Sequence, residues 1–542
     1  MLLAVANGGK AAIRATGWRD LTAEQRAQVA PWVTPVATRD DLRPFTRAPQ
    51  ALPTQVTNYR HLPLIRSQSL ENCGAFAPTY YLKTWQEARE RDWVRPDPLV
   101  NPERVMSPGF TFPLSNGGVN AGAAPSLVLA ILCRYGCATW RDMPENPTDW
   151  TSYPTEAVWR QAMPYRAERI LSFDARTPAG QAAMKQHLAD GNLLALSLLI
   201  YHDVYDNYPL GAGANNGVIC AAGSVEWAPH TFTVIGYDDN KTYTNGGARS
   251  GAFLAVNSWG PNWGVSNALL GSAGCVWFAY DYLADTVGCR LLEVLGLVDR
   301  IGYQPTDVAV YTIEHPCRVE LDVRIGAGPP AAPASPGWLE AFPDAGSTQS
   351  FAGTIAVDVT DFSAADPLAY WLRVEDALVD NPGWPAASGH VSRFYVERAG
   401  GLCLEADAVP LQTADDGIAY LAADPFVVSS DAFGGETGRM FMASAWADFS
   451  TGMGRPTWRC AGPTRPTPAC GCSSAAARAS PSTPLRRSRP WPAAPPWPGR
   501  TTTATDTPTL PCAATPPPGP SAGCTRTSAA AGWPTAASRC PP

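Results

Sequence analysis

The chain has 542 residues, 45% of them hydrophobic, which allows two to four domains with sizeable cores. A formal net charge of −7 and the lack of long basic runs before residue 450 argue against a nucleic-acid partner. No apolar stretch is long enough to span a membrane, which takes about 20 residues.

The opening "MLLAVANGGKAAIRATGWRD" carries an apolar run of only five residues. A secretory signal needs roughly 7–15 after a basic start, so none is expected and a cytoplasmic location is the default. Residues 1–50 read as a leader. Within it "LTAEQRAQVAPWV" pairs Thr22 with Gln25 in a capping box, which predicts a short helix.

Residues 51–300 form the first large unit. In "IRSQSLENCGAFAPTYYLKTW" a turn gives way to a helix at Cys73, with Phe76, Tyr80 and Trp85 among its apolar positions. Asn72 is suited to cap that helix. Pro78 in its second turn should kink it, at roughly 3 kcal/mol if uncompensated. "PSLVLAILCRYG" is a second helix ending at Gly136. Cys133 and Cys137 would share one of its faces; zinc would need further Cys or His ligands nearby, so they are expected in the core. A third helix, "GQAAMKQHLADG", places His187 among charged neighbours, where solvation is expected. Strand-like runs follow: "LLALSLLIY", "HTFTVIGYDD" and "GAFLAVNSWG". Helices first and strands later is an α+β order.

Residues 301–400 change character. "DVAVYTIEH", "CRVELDVRIG", "TIAVDVTDF", "YWLRVED" and "HVSRFYVER" are short β-type runs between Pro, Gly and Ser loops, the pattern of a β-sandwich. Residues 401–455 either complete it or link onward. From Pro456 the chain has no Val, Ile, Phe, Tyr, Met, Lys, Glu, Gln, Asn or His. Such a segment cannot bury enough apolar area to offset its ordering entropy, so disorder is expected. Its residue set matches GC-rich DNA read out of frame, or else a genuine Pro/Ala-rich tail. Eight cysteines precede residue 455 and six follow it. Without a signal, the first eight do not suggest a disulfide scaffold.

Whether Cys73 is a core residue or a nucleophile depends on finding a base. Of the six histidines, His202 reads as a loop residue, and His315 and His390 belong to the sandwich. His230 opens the strand "PHTFTVIGYDDN", where a sheet can fix it, although a lone strand histidine is more often structural. The next strand, "GAFLAVNSWGPNWG", carries Asn257 and Trp259. Antiparallel pairing through "DNKTYTNGGARSG" would bring Asn257 beside His230. Its side-chain oxygen could then accept the imidazole N–H and hold the ring's tautomer, while Trp259 covers the bond.

Four blocks in order resemble the papain family of cysteine peptidases over residues 51–290: "LPTQVTNYRHLPLIRSQSLENCGAF", "MSPGFTFPLSNGGVNAGAAPSLVLAILCRYGCATWRDMPE", "HTFTVIGYDDN" and "GAFLAVNSWGPNWG". The resemblance implies a two-lobed fold, helical and β-barrel-like. It makes Cys73 the nucleophile, His230 the acid/base, Asn257 the orienting residue and Gln68 the oxyanion-hole side chain. Gly122 would dock an extended substrate backbone. It implies hydrolysis of peptide bonds in a protein or peptide substrate, endo- or exo-acting, with no metal and no cofactor. The leader is too short for that family's helical inhibitory propeptide, so activation by removal of a large prodomain is not expected. The family's cysteine three residues before the nucleophile is here Leu70, and its partner position is Val119, so that disulfide is missing. Gln68 precedes Cys73 by five residues, one fewer than usual, which could move its amide by up to ~3.5 Å. A peptide-binding relative without turnover, or an acyltransferase, therefore stays open beside the peptidase.

The second domain is similar to the P domain that follows the catalytic domain of proprotein convertases, a jelly-roll-like sandwich. The similarity rests on a His-ended first strand (His315), the pair Glu320 and Leu321, and Trp371, Leu372, Val374 and Asp376. Asp376 and its acidic neighbours are expected to be solvated loop carboxylates rather than a calcium site.

Overall fold

The structure is a computed structural model. It describes residues 16–45, 51–201, 215, 217–223, 225–328, 338–339, 350–351, 353–362, 370–376, 388–406, 408–413 and 417–423. His202 and the Pro/Ala-rich tail lie outside the described residues.

The first lobe is helical. Helix α1 (Ala23–Val29) starts with both bonds of the capping box between Thr22 and Gln25 in place. It is followed by α2 (Cys73–Phe76), α3 (Thr84–Glu90), α4 (Pro108–Thr111), α5 (Pro125–Tyr135) and α6 (Glu156–Ala162). Between α2 and α3, residues Ala77–Lys83 wind as a π-helix. Pro78 therefore breaks nothing: the wider turn absorbs the missing N–H and the ring, and the axis continues into α3. Every residue of α5 is buried, so it is the lobe's central helix. Pro125 opens it, and Gly136 at φ +81° closes it. Cys133 and Cys137 are both buried and free, but Cys137 lies beyond the helix end instead of on its face.

The second lobe is a ten-stranded sheet in the order β1-β3-β10-β4-β6-β7-β9-β5. Its strands are β1 (Val33–Val36), β2 (Gln55–Thr57), β3 (Ala167–Phe173), β4 (Leu194–Tyr201), β5 (Val218–Ile219), β6 (Glu226–Thr244), β7 (Ala248–Val256), β8 (Val265–Asn267), β9 (Ser272–Ala279) and β10 (Leu291–Asp299). β2 pairs with β6 and β8 with β9. β1, from within the expected leader, runs parallel to β3 at the edge. Helix α7 (Pro178–Ala189) carries His187, which is buried and not solvated. The helix turns it inward onto Gly296 of β10 and the Phe173 ring. Burial holds its imidazole down to about 4.

A β-sandwich follows. One sheet has the order β14-β11-β16-β17 with β18 on β16; the other is β13-β12-β15-β19. The strands are β11 (Val308–Glu314), β12 (Leu321–Ala327), β13 (Trp338–Leu339), β14 (Gly353–Asp358), β15 (Tyr370–Asp376), β16 (Gly389–Glu397), β17 (Cys403–Glu405), β18 (Leu411–Thr413) and β19 (Gly417–Ala423). Strands β17, β18 and β19, beyond residue 400, thus belong to the sandwich. Tyr311, Val323, Ile325, Val357, Leu372 and Val396 are in one continuous apolar core with the helical lobe. Asp376 corrects the loop expectation: it ends β15, is buried, and bonds His315 Nε2 at 3.2 Å. A desolvated carboxylate needs such a partner, which a loop position would not.

A buried polar knot ties the sandwich to the first two lobes. Arg166 bonds Asp358 Oδ2 at 2.5 Å and Asp361 Oδ2 at 2.8 Å. Tyr303 donates to the same Asp358 oxygen at 2.5 Å, and Arg134 reaches the Asp358 carbonyl at 2.6 Å.

Candidate active site

Cys73 is the first residue of α2 and is wholly buried. Asn72 occupies the capping position, but its side chain caps nothing; it donates to Glu145 Oε1 at 2.5 Å. The Oδ1 that a cap would use has no hydrogen-bond partner among the described residues. The α2 N–H groups left free by this arrangement are those of Cys73 and Gly74, and both point to residues 16–17. Cys73 N–H donates to the Thr16 carbonyl at 3.2 Å and Gly74 N–H to the Gly17 carbonyl at 3.3 Å.

Gln68 converges on the same oxygen. Its Nε2 donates to the Thr16 carbonyl at 2.7 Å and to the Leu70 carbonyl at 2.9 Å, which uses both amide hydrogens. The Ser258 hydroxyl bonds Gln68 Oε1, and the Gln68 N–H donates to the Ser258 carbonyl at 2.9 Å. Ser67 bridges Trp259. The five-residue spacing from Gln68 to Cys73 therefore does not pull the amide away. The strand after Asn257 anchors it, and two donors meet at one carbonyl oxygen.

His230 lies inside β6, as its fifth residue, because the strand begins at Glu226 instead of at the histidine. Its Nε2 faces Asn257 Oδ1 at 2.7 Å, and Ser258 N–H donates to that same oxygen at 2.7 Å. With oxygen as acceptor, Nε2 carries the proton and Nδ1 is left bare. Nδ1 is buried without a hydrogen-bond partner among the described residues. Trp259 covers the pair, its ring centroid 4.6 Å from the imidazole at 32°. Burial lowers the imidazole to about 4, against the raising effect of the Asn257 bond.

The next residue, Thr231, touches the sulfur. Burial pushes the Cys73 thiol up to about 12, while bonds from the Thr231 backbone and hydroxyl pull the other way. The Thr231 hydroxyl also meets Ser197 Oγ at 3.1 Å. Thiol and imidazole are thus both held neutral under cover.

The cover is Thr16–Arg19. Trp18 pairs with Ala123 in a parallel bridge. Ala123 N–H donates to the Gly17 carbonyl at 3.0 Å, and Arg19 N–H donates to the Ala123 carbonyl at 3.3 Å. Gly122, expected to dock an extended backbone, contributes close approach and, among the described residues, no backbone hydrogen bond: at φ +105°, an added Cβ would lie 2.9 Å from the Gly17 carbonyl carbon. The pairing atoms belong to Ala123. Gly17 sits at φ +123°, and a Cβ there would fall 2.0 Å from the Glu71 carbonyl oxygen. Sequence reasoning passed over residues 16–19 because they have no periodicity; the one available signal was a glycine before an isolated tryptophan.

Two further groups were missed. Ser258 positions Gln68, and nothing but its place after Asn257 marks it in the sequence. Glu293 of β10 accepts the Trp18 indole N–H at 3.3 Å. The possible metal clusters among the described residues, His315–Glu320–Asp376 and Glu87–Glu90–Asp299, lie outside this site. In the first, His315 Nε2 bonds Asp376, and in the second Asp299 pairs with Lys83. No described helix is long and apolar enough to cross a membrane.

No protein-family profile and no curated protein matches the chain. Among solved structures, it is similar to xylellain, a cysteine protease from Xylella fastidiosa, at 16% identity and TM-score 0.36, over 53% of this chain and 97% of that one. It is also similar to the cysteine protease and lectin-like domains of Cwp84, a surface-layer-associated protein of Clostridium difficile. There the identity is 11% and the TM-score 0.35, over 70% and 90% of the two chains. Digestive procathepsin L 3 of Tenebrio molitor matches at 13% and 0.33, over 46% and 71%. The fold is α+β, with helical and sheet lobes followed by a sandwich.

Proposed function

We propose that the chain is a papain-like cysteine peptidase with Cys73 as nucleophile, His230 as acid/base and Asn257 as its orienting partner. Gln68 Nε2 and the Cys73 N–H would form the oxyanion hole. The observation that carries this reading is their convergence on the Thr16 carbonyl, at 2.7 and 3.2 Å. Two preorganised donors at one oxygen beside a helix-opening cysteine are what a developing oxyanion needs. The similar solved structures named as cysteine proteases agree with it.

The chemistry follows from the groups present. His230 Nδ1, bare because Asn257 holds the proton on Nε2, takes the thiol proton as Sγ attacks the substrate carbonyl carbon. The C–S bond forms, and the oxyanion rests on Gln68 and the Cys73 N–H. Collapse breaks the C–N bond, and His230 returns the proton to the leaving amine. Water, deprotonated by the same imidazole, then cleaves the thioester to a carboxylic acid and the thiol. The helix dipole of α2 and the Thr231 donors favour the thiolate once water and substrate replace the cover.

Residues 16–19 occupy the place of a substrate backbone, so turnover requires their displacement. The rival, a peptide-binding chain without turnover, is favoured by one observation: Cys73 and His230 are both wholly buried, and burial raises the thiol and lowers the imidazole, which disfavours the charged pair. Labelling with an epoxide inhibitor of cysteine peptidases separates the two. An adduct on Cys73 at neutral pH, with hydrolysis lost in Cys73→Ala, supports the enzyme. No adduct in a chain whose cover has been loosened contradicts it.

A further inference from the structure

The sandwich gathers three metal-ligating side chains at one end of its two sheets. His315 directly follows β11 of the first sheet. Glu320 closes the 3-10 turn Arg318–Glu320 that leads into β12 of the second sheet. Asp376 ends β15 of that sheet, opposite Leu321. A ring nitrogen of His315 and one oxygen from each carboxylate lie within 4.8 Å of one another, and all three residues are buried.

The imidazole is oriented as a ligand. Its Nδ1 stands 2.7 Å from the Cys317 carbonyl oxygen, which can only accept, so Nδ1 carries the proton. The Cys317 N–H, 3.1 Å from the same nitrogen, is the weaker contact. Nε2 then faces Asp376 Oδ2 at 3.2 Å. In a neutral ring both of those atoms are acceptors, and a proton or a metal ion has to lie between them. Two ligand atoms held about 2.0–2.1 Å from one tetrahedral ion stand about 3.3–3.4 Å apart, close to the separation observed.

A proton would satisfy that pair but not Glu320. Glu320 is only 8% exposed, its carboxylate accepts no hydrogen bond among the described residues, and it aims an oxygen at the pair. Burial raises the Asp376 carboxyl; His315 lowers it, and the Glu320 charge adds to the rise. Arg318, in the same turn, lays its guanidinium over the Tyr153 ring at 3.9 Å and donates to the Thr151 carbonyl at 3.3 Å. The outer contacts are also those of a metal site. Thr413 bonds Asp376 and accepts the Gly389 N–H at 2.9 Å. Gly389 makes room for the ring, since an added Cβ would lie 2.7 Å from His315 Cδ2. A histidine N–H on a backbone carbonyl and a carboxylate held by its own hydrogen bond are the supports that metal ligands receive.

We propose that His315 Nε2, Glu320 and Asp376 bind one divalent transition-metal ion of the zinc class, which clips the two sheets of the sandwich together at this end. One imidazole with two carboxylates suits zinc, with water in the fourth tetrahedral position. Calcium fits less well, because it takes roughly 6–8 ligands, all of them oxygen. The ion's role is structural and independent of the chemistry at Cys73.

The test uses the full chain carrying Cys73→Ala, with accessible thiols blocked by iodoacetamide so that cysteines do not compete for the metal. The metal-free chain is titrated with zinc chloride in a calorimeter and melted with zinc, with calcium and with a chelator. One equivalent of zinc should bind and raise the melting temperature, and the chelator should reverse both. Thr413→Val, which removes an outer contact, should weaken zinc binding by about 10–100-fold, and Glu320→Gln, which removes a ligand, by more. Both variants keep the shape of the side chain, and binding by the unaltered sandwich decides the matter even where a variant does not fold. Failure of that chain to bind zinc, a preference for calcium, or zinc binding and stabilisation unchanged in Glu320→Gln would overturn the site and leave an imidazolium–carboxylate pair in its place.

Discussion

Gly17→Ala should uncover Cys73. The segment that holds Gly17 is fastened to the site by Cys73 N–H and Gln68 Nε2 on the Thr16 carbonyl, and by Gly74 and Ala123 N–H on the Gly17 carbonyl. Gly17 adopts φ +123°, and a methyl group there would lie 2.0 Å from the Glu71 carbonyl oxygen and 2.5 Å from the Asn72 nitrogen. Backbone strain at positive φ costs about 1–2 kcal/mol for an L-residue. The contact adds at least as much, because the opposing atoms are backbone that leads into α2. Together these disfavour the docked segment by on the order of 3 kcal/mol, or roughly 10²-fold in its population. The assay is the rate of Cys73 alkylation by iodoacetamide in the full chain, followed by peptide mapping to separate it from exposed Cys403. Gly302→Ala is the control, since Gly302 also has positive φ but open space around it. A large acceleration in Gly17→Ala alone is expected. An unchanged rate in a folded Gly17→Ala chain refutes the view that residues 16–19 shield the sulfur.

Gln68→Ala should lower kcat of the uncovered chain by about 10²–10³ with little change in KM, as loss of one oxyanion donor does elsewhere; steady-state kinetics decide, and a loss confined to KM would contradict the role. Acid should weaken the fold through His187 and His230, both buried and held at about 4 by burial. The unfolded chain binds their protons near 6.5, so stability is full above that pH and declines toward about 4, by up to ~3 kcal/mol per histidine. Urea melts at several pH values should show the decline, and His187→Gln should flatten it; an equal slope in that variant would contradict the assignment. Arg166→Met should cost about 3–5 kcal/mol, because it strands the Asp358 carboxylate in the contact between sandwich and first lobes. Thermal melting tests this, and Asp358→Asn added to Arg166→Met should recover part of the loss.

Much of the fold was legible because it rests on local rules. The alternation and β-branching around His230 gave the strand, the Thr22–Gln25 pair gave α1, and Pro125 with Gly136 bracketed α5. Cys73, His230 and Asn257 each sit in a distinctive flank, and the expected pairing of Asn257 with His230 was legible from the two strands. What failed depended on distant partners. Asn72 looks like a cap until its amide nitrogen is seen to turn to Glu145. His187 looks solvated beside Lys185 until β10 packs over it. Pro78 looks disruptive until the helix widens around it. The short Gln68–Cys73 spacing looks damaging until Ser258 is seen to hold the amide. Residues 16–19 acquire meaning only from the edge at Ala123, which no local pattern announces.

The most direct measurement is intact-mass and peptide-mapped labelling of the Gly17→Ala chain by a peptidyl epoxide at neutral pH, alongside peptide hydrolysis. Stoichiometric modification of Cys73 that disappears in His230→Ala, with hydrolysis lost in parallel, is the predicted result. A Cys73 that stays unmodified, or peptide cleavage that survives Cys73→Ala, would contradict the account.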